Sequence, residues 1–316
     1  MEANQDYSVE RILEIYKNLV RNTEFVPREA VPSTNATYNA LLSEVAEYND
    51  GGKWFIKLCD ESATLAELMY QHCSPETRIL MAKFIWCLIN IEDLGHKYPE
   101  SIVTFQPLIL QRKEPEAKVL GLLLDSLIAF YQTWDPIPAN AMSHSVLEFI
   151  NGVLLEQDPN ILDMELSTAA KSWPYFLRRK TGISAAFAFG IFPKELNIEL
   201  PVYIQAIEDT VQFIDIFNDV LSFHKEYQSG ERNNYINSRA RVNEKTIVET
   251  LQESAEDALA AYSRAKQILM GTEAYLPWKS CLDGYISFHF LAQKRYRLNE
   301  LGFQTDGSFQ DREGSN

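Results

Sequence analysis

The stretch 201-PVYIQAIEDTVQFIDIFNDVLSFHKE-226 reads as one long helix: Pro201 suits a first helical position, and neither Gly nor Pro recurs before Gly230. Its last two turns carry Asn218, Ser222 and Glu226 at i, i+4 and i+8. At about 100° per residue these side chains fall within an arc of roughly 80°, with Lys225 beside them. An amide oxygen, a hydroxyl and a carboxylate on one stripe make an all-oxygen site for a hard divalent cation such as Mg²⁺. The lysine suggests that the cation shares its site with an anion. The solvated end of an amphipathic helix would look the same, so the rest of the chain has to decide.

Outward from that helix the pattern stays helical. Ser74-Pro75-Glu76 is a strong start signal, with a capping hydroxyl, Pro at the first position and an acid in the first turn. The helix that it opens, PETRILMAKFIWCLINIEDLGHK (75–97), is apolar on nearly all sides through Phe84 to Ile91 and ends at Gly95, which marks a buried central rod. Further helices are expected at 8–20, 37–48, 62–72, 116–133, 138–156, 244–269 and 274–300. Between 157 and 200 the breakers Pro159, Pro174, Gly182, Gly190 and Pro193 interrupt the pattern. No run of alternating strands with hairpin turns occurs. The reading is all-α, a single domain over 1–316, with 1–34 and 304–316 peripheral. The polar stretch 227–243 contains little that would pack and leaves the 201–226 helix directly, which suits a lid. The polar tail from Gln304 reads as a frayed terminus.

Composition excludes several classes. A formal net charge of −15 argues against nucleic acid or an anionic membrane as the main partner. An anionic small molecule then requires local cations. The four cysteines show no CxxC pairing, the start MEANQDYSVE has no basic or apolar signal region, and no apolar run is long enough to span a membrane. A cytoplasmic protein with cysteines in its core is expected.

Three further clusters fit the same chemistry. Glu92 and Asp93 end the apolar 75–97 helix, where acids oppose the helix dipole unless a cation or solvent meets them. Arg178-Arg179-Lys180-Thr181-Gly182, flanked by aromatics in WPYFLRRKTGIS, suits anion capture by guanidinium forks, although basic triplets are also common on surfaces. Lys294-Arg295-Tyr296-Arg297 closes the aromatic stretch GYISFHFLAQ, a place where the helix dipole favours bases anyway. His289 in that stretch reads as a core histidine. Together, two sets of oxygen ligands, several Arg and Lys groups and a Tyr hydroxyl would clamp a phosphate-rich group beside a dry hydrocarbon pocket.

These residues carry a resemblance. NDVLSFHKE (218–226) is similar to the Asn/Asp-Asp-x-x-Ser/Thr-x-x-x-Glu metal motif of class I terpene synthases. YFLRRKTG, FPKE, GYISFH and KRYRL resemble the corresponding stretches of trichodiene synthase and its fungal relatives, in order and over about residues 75–300. The resemblance implies an all-α class I terpenoid synthase bundle, three Mg²⁺ ions, farnesyl diphosphate as substrate and a homodimer. It makes Asn218, Ser222 and Glu226 ligands of one Mg²⁺, Arg178 (or its neighbour Arg179) the diphosphate sensor, and Lys225, Arg295 and Tyr296 hydrogen-bond donors to the diphosphate. The family's Asp-Asp-x-x-Asp motif is altered here to Glu92-Asp93-Leu94-Gly95-His96, and imidazole is not a preferred Mg²⁺ ligand.

The expected reaction is cation-assisted ionisation of farnesyl diphosphate, followed by cyclisation against a wall of Phe84, Leu88, Phe187, Phe189, Val211, Ile214 and Phe288. The expected product is a sesquiterpene hydrocarbon or alcohol. A chain-elongating prenyl synthase would need two aspartate-rich motifs, and the sequence has none. A helical prenyl diphosphate-binding protein without catalysis, or with an altered substrate, is the alternative that the changed 92–96 motif leaves open.

Overall fold

The Ser74 hydroxyl accepts from the Thr77 backbone N–H and Pro75 occupies the first turn, so the helix begins where the sequence places it. The computed structural model describes residues 8–32, 35–49 and 52–310. The chain start 1–7 and the last six residues of the tail, on which the signal and fraying expectations partly fell, lie outside them.

The helices run α1 Val9–Asn22, α2 Ala36–Glu44, α3 Lys53–Met69, α4 Pro75–Leu94, α5 Pro99–Leu110, α6 Lys118–Thr133, α7 Pro136–Gln157 and α8 Pro159–Leu162. They continue as α9 Trp173–Thr181, α10 Ser184–Gly190, α11 Leu200–Tyr203, α12 Ile207–Gln228, α13 Tyr235–Asn243, α14 Ile247–Leu269, α15 Tyr275–Leu291 and α16 Gln293–Tyr296. The fold is all-α. Among the described residues there is no strand, and Phe303 and Phe309 form one isolated antiparallel bridge.

Helix α4 is the central rod: every residue from Phe84 to Ile91 is buried. It packs between α3, α2 and α6, while α12 packs on α14 and α10, and α15 on α3. Helix α14 starts with a complete capping box, Thr246 and Glu249 exchanging bonds with each other's backbone. The four cysteines are reduced and buried in the core. Among the described residues, no helix is long and apolar enough to cross a membrane.

Several expected boundaries need correction. The 201–226 helix is broken near its start: α11 passes through a 3₁₀ turn, Ile204–Ala206, before α12 begins. Helix α3 starts at Lys53, nine residues before the expected Ser62, because WFIKL already places Phe55 and Leu58 on the buried face. Pro107 does not stop α5, which the sequence reading missed. The expected helix 274–300 ends at Leu291 and restarts as α16, with Arg297 beyond it in the left-handed region. Residues 235–243 are not an unpacked loop but helix α13, whose Ile236, Ala240 and Val242 are buried. The tail is not frayed before residue 311: Gln304 and Gln310 pair with Ser308 and Gly302, and the Lys17 ammonium sits 3.1 Å from the Phe309 ring centroid.

Candidate active site

Helices α3, α4, α7, α9, α10, α12, α13, α15 and α16 surround a cavity of about 450 Å³, a size typical of small-molecule sites. Its floor is apolar. Leu88, Phe187, Ile214 and Phe288 line it as the sequence suggested, joined by Phe149, Val153 and Tyr285. Phe84, Phe189 and Val211 are not on its surface, and Phe84 packs edge-on behind Phe187.

The polar mouth is assembled from several separate helices. On α12, the Asn218 Oδ1 accepts from the Tyr296 hydroxyl at 3.1 Å, which joins the α12 stripe to the Arg-Tyr pair of α16. Burial pushes the Tyr296 phenol up to about 12, with Arg295 opposing, so the hydroxyl remains a donor. One turn on, the Ser222 Oγ is buried, lies off the cavity surface and has no hydrogen-bond partner among the described residues. Glu226 accepts from the Asn234 side-chain amide at 2.8 Å, across the turn between α12 and α13. Lys225 lies 3.8 Å from Glu226 but does not line the cavity.

Arg295 lies between two helices, 3.7 Å from Glu61 on α3 and 3.8 Å from Glu92 on α4. Glu92 faces the cavity with a largely exposed carboxylate. Asp93 points elsewhere and accepts from the Trp54 indole at 3.3 Å. Of the altered 92–96 motif, therefore, only Glu92 reaches the site. Among the described residues, no three His, Cys, Asp or Glu side chains form a metal-sized group. A stripe of Asn, Ser and Glu is a different donor set.

Arg178 lines the cavity, whereas Arg179 turns outward to Glu208 at 3.4 Å, which separates the two candidates. The Arg178 guanidinium is gripped on two sides. Its Nε lies 2.7 and 2.8 Å from the two oxygens of Asp219. Its Nη2 donates to the Asp215 carbonyl at 3.1 Å, and its Nη1 is 3.3 Å from the Asp215 carboxylate. Burial pushes the Asp219 carboxyl up, to about 7, against the pull of Arg178. Burial likewise pushes Glu156, at the mouth near Glu92 and Glu231, up to about 7, although its side chain reaches solvent through the opening.

The sequence reading passed over Asp215, Asp219 and Glu156. Asp219 stands inside the NDVLSFHKE motif, and Asp215 is an acid in the apolar run QFIDIF. A charge on the face of a helix destined for burial needs a partner, and that was the signal.

The family profile described as trichodiene synthase (TRI5) matches residues 59–313. The terpene synthase BipA of Cochliobolus sativus is 30% identical over 295 residues, which cover 90% of this chain and 89% of that protein. Monoterpene synthase 25 of Postia placenta is 28% identical over 293 residues, covering 90% and 86%. Among solved structures, the linalool/nerolidol synthase of Streptomyces clavuligerus superposes with a TM-score of 0.62 at 12% identity, over 83% of this chain and 98% of that one, a likeness of fold. This chain belongs to the trichodiene synthase family and is a terpene synthase.

Proposed function

We propose that this terpene synthase is a single-domain class I sesquiterpene cyclase, which ionises farnesyl diphosphate and closes the resulting allylic cation into a ring, releasing diphosphate. The observation that supports it most is convergence: Arg178, Asn218, Glu226, Arg295, Tyr296 and Glu92, from four helices, border one mouth above an apolar, aromatic floor. The amide, hydroxyl and carboxylate oxygens of the α12 stripe suit Mg²⁺, and the buried Ser222 hydroxyl has no partner among the described residues that would compete with an ion for it. Asn218, Ser222 and Glu226 would hold one ion, and Glu92 the opposite side. Bound divalent cations would neutralise the leaving diphosphate as the carbon–oxygen bond lengthens.

The chain's own groups do the rest. Arg178 and Arg295 supply fixed positive charge, and Tyr296 a hydroxyl, where negative charge grows on the leaving group. Unit charges 4 Å apart interact by about 4 kcal/mol at an effective dielectric near 20, so two such groups favour separated charge over the intact ester. The floor offers a hydrocarbon an apolar surface, and its Phe187, Tyr285 and Phe288 rings would stabilise a cation lying over their faces. Residues 231–238 border the mouth, and the Asn234–Glu226 bond ties their position to α12.

The test is direct. Purified protein incubated with Mg²⁺ and either farnesyl or geranyl diphosphate, followed by mass-spectrometric analysis of organic extracts, is expected to release a cyclic C15 product. Release of no terpene from either substrate would overturn the reading. Acyclic C10 products alone would move the substrate to geranyl diphosphate.

A further inference from the structure

The two carboxylates that hold Arg178 differ in setting. Asp219 lies on the cavity surface and takes the Nε edge of the guanidinium. Asp215 lies behind, 1% exposed and off the cavity surface, and takes the Nη edge through both its carbonyl and its carboxylate. The Asp215 carboxylate is itself oriented by the Ser184 hydroxyl, at the start of α10, and its other oxygen has no partner among the described residues.

The same carboxylate passes over the break between α9 and α10. A Cβ on Gly182 would lie 2.1 Å from Asp215 Oδ1 and 2.2 Å from Arg178 Nη1, so only glycine lets the pair close. The next residue, Ile183, lines the cavity with φ +51°, a left-handed conformation that a β-branched residue adopts only when its surroundings hold it. An ion pair this costly to bury, built around a glycine and a strained isoleucine, requires more than packing to account for it.

We propose that Asp215 is a positioning residue: it anchors the rear of the Arg178 guanidinium so that the front edge can leave Asp219 for the substrate's diphosphate without losing its aim. This rests on the reading of Arg178 as a diphosphate-binding group. The two acids thereby divide their tasks, Asp219 as the partner that is exchanged and Asp215 as the one that is kept. Ser184, through Asp215, extends the anchor to the wall of the hydrocarbon cavity.

The assignment makes a prediction opposite in sign to simple charge. Removing any nearby carboxylate should tighten binding of an anion by reducing repulsion. Asp219→Asn is expected to do so. Asp215→Ala is expected instead to weaken the affinity for inorganic diphosphate with Mg²⁺, measured by calorimetry on the full chain, by roughly tenfold, the scale of lost positioning shells. Ser184→Ala, which leaves every charge in place, should weaken it in the same direction by less, and keeps the test open if Asp215→Ala does not fold. Unchanged or tighter binding in Asp215→Ala, or unchanged binding in Ser184→Ala, overturns the anchor while leaving Arg178 as a ligand. Unchanged binding in Arg178→Met would instead remove the reading on which the anchor rests.

Discussion

At the scale of the residue, the site separates neighbours that a sequence presents as equals. Arg178 and Arg179 are adjacent, yet one is held at the cavity and the other pairs with Glu208, an acid whose side chain is 71% exposed. Exposed pairs contribute about 1 kcal/mol or less, so Arg179→Ala is expected to leave turnover within roughly twofold in a steady-state assay. Ser222 gives a sharper case. Its hydroxyl is buried without a partner among the described residues, so Ser222→Ala sacrifices no hydrogen bond to them and should leave the melting temperature unchanged or slightly raised. The same variant is expected to raise the Mg²⁺ concentration for half-maximal turnover by about tenfold or more. A lowered melting temperature with unchanged metal dependence would make Ser222 a core residue only. Asn218, Ser222 and Glu226 were legible in sequence because their spacing is itself the geometry of a helix face. Asp215 was not assigned, because its role depends on an arginine 37 positions earlier that only folding brings near.

Elements were legible where a cap or an unbroken period defined them, as in α4 and α14, and poorly legible where tertiary contact overrode composition. Helix α13 has a polar sequence, YINSRARVN, but three buried apolar side chains suffice to seat it against neighbouring helices. Helix α15 shows another constraint that periodicity does not reveal. A Cβ on Gly284 would lie 1.9 Å from the Leu68 carbonyl oxygen, so the backbones of α15 and α3 touch at that level. Gly284→Ala, favourable by helix propensity alone, is therefore expected to cost about 3 kcal/mol or more, read as a lowered denaturant midpoint. A neutral or stabilising result would mean that the two helices separate easily, and with them the cavity wall that bears Leu65 and Phe288.

At the scale of the whole molecule, acid stability has an identifiable contributor. His289 is wholly buried between Phe217, Tyr285 and Tyr296, and burial lowers its pKa to about 4, with Arg295 adding to the effect and the Tyr285 carbonyl opposing it. Its folded pKa is below the unfolded value of 6.5, so between those values the unfolded chain binds more protons and stability falls as pH falls. The contribution lost between pH 7 and pH 5 is about 2 kcal/mol, and chemical denaturation of His289→Leu at the two pH values should show a correspondingly flatter dependence. The all-α architecture needed only the sequence's periods and breakers. The cavity's shape needed the packing of residues far apart in the chain, which is why only part of the proposed wall lies on its surface. The Phe303–Phe309 bridge has a consequence of a different kind. With Phe309 seated under Lys17 of α1, the chain emerges at residue 310 beside the helix with which the described structure begins. Nine helical residues, about 14 Å, separate Lys17 from Ser8. A flexible linker of about ten residues inserted between residue 310 and Ser8 would span that distance. A circularly permuted chain, opened in the exposed connection between α8 and α9, would keep every helix pairing and both halves of the site while reversing the order in which they are synthesised.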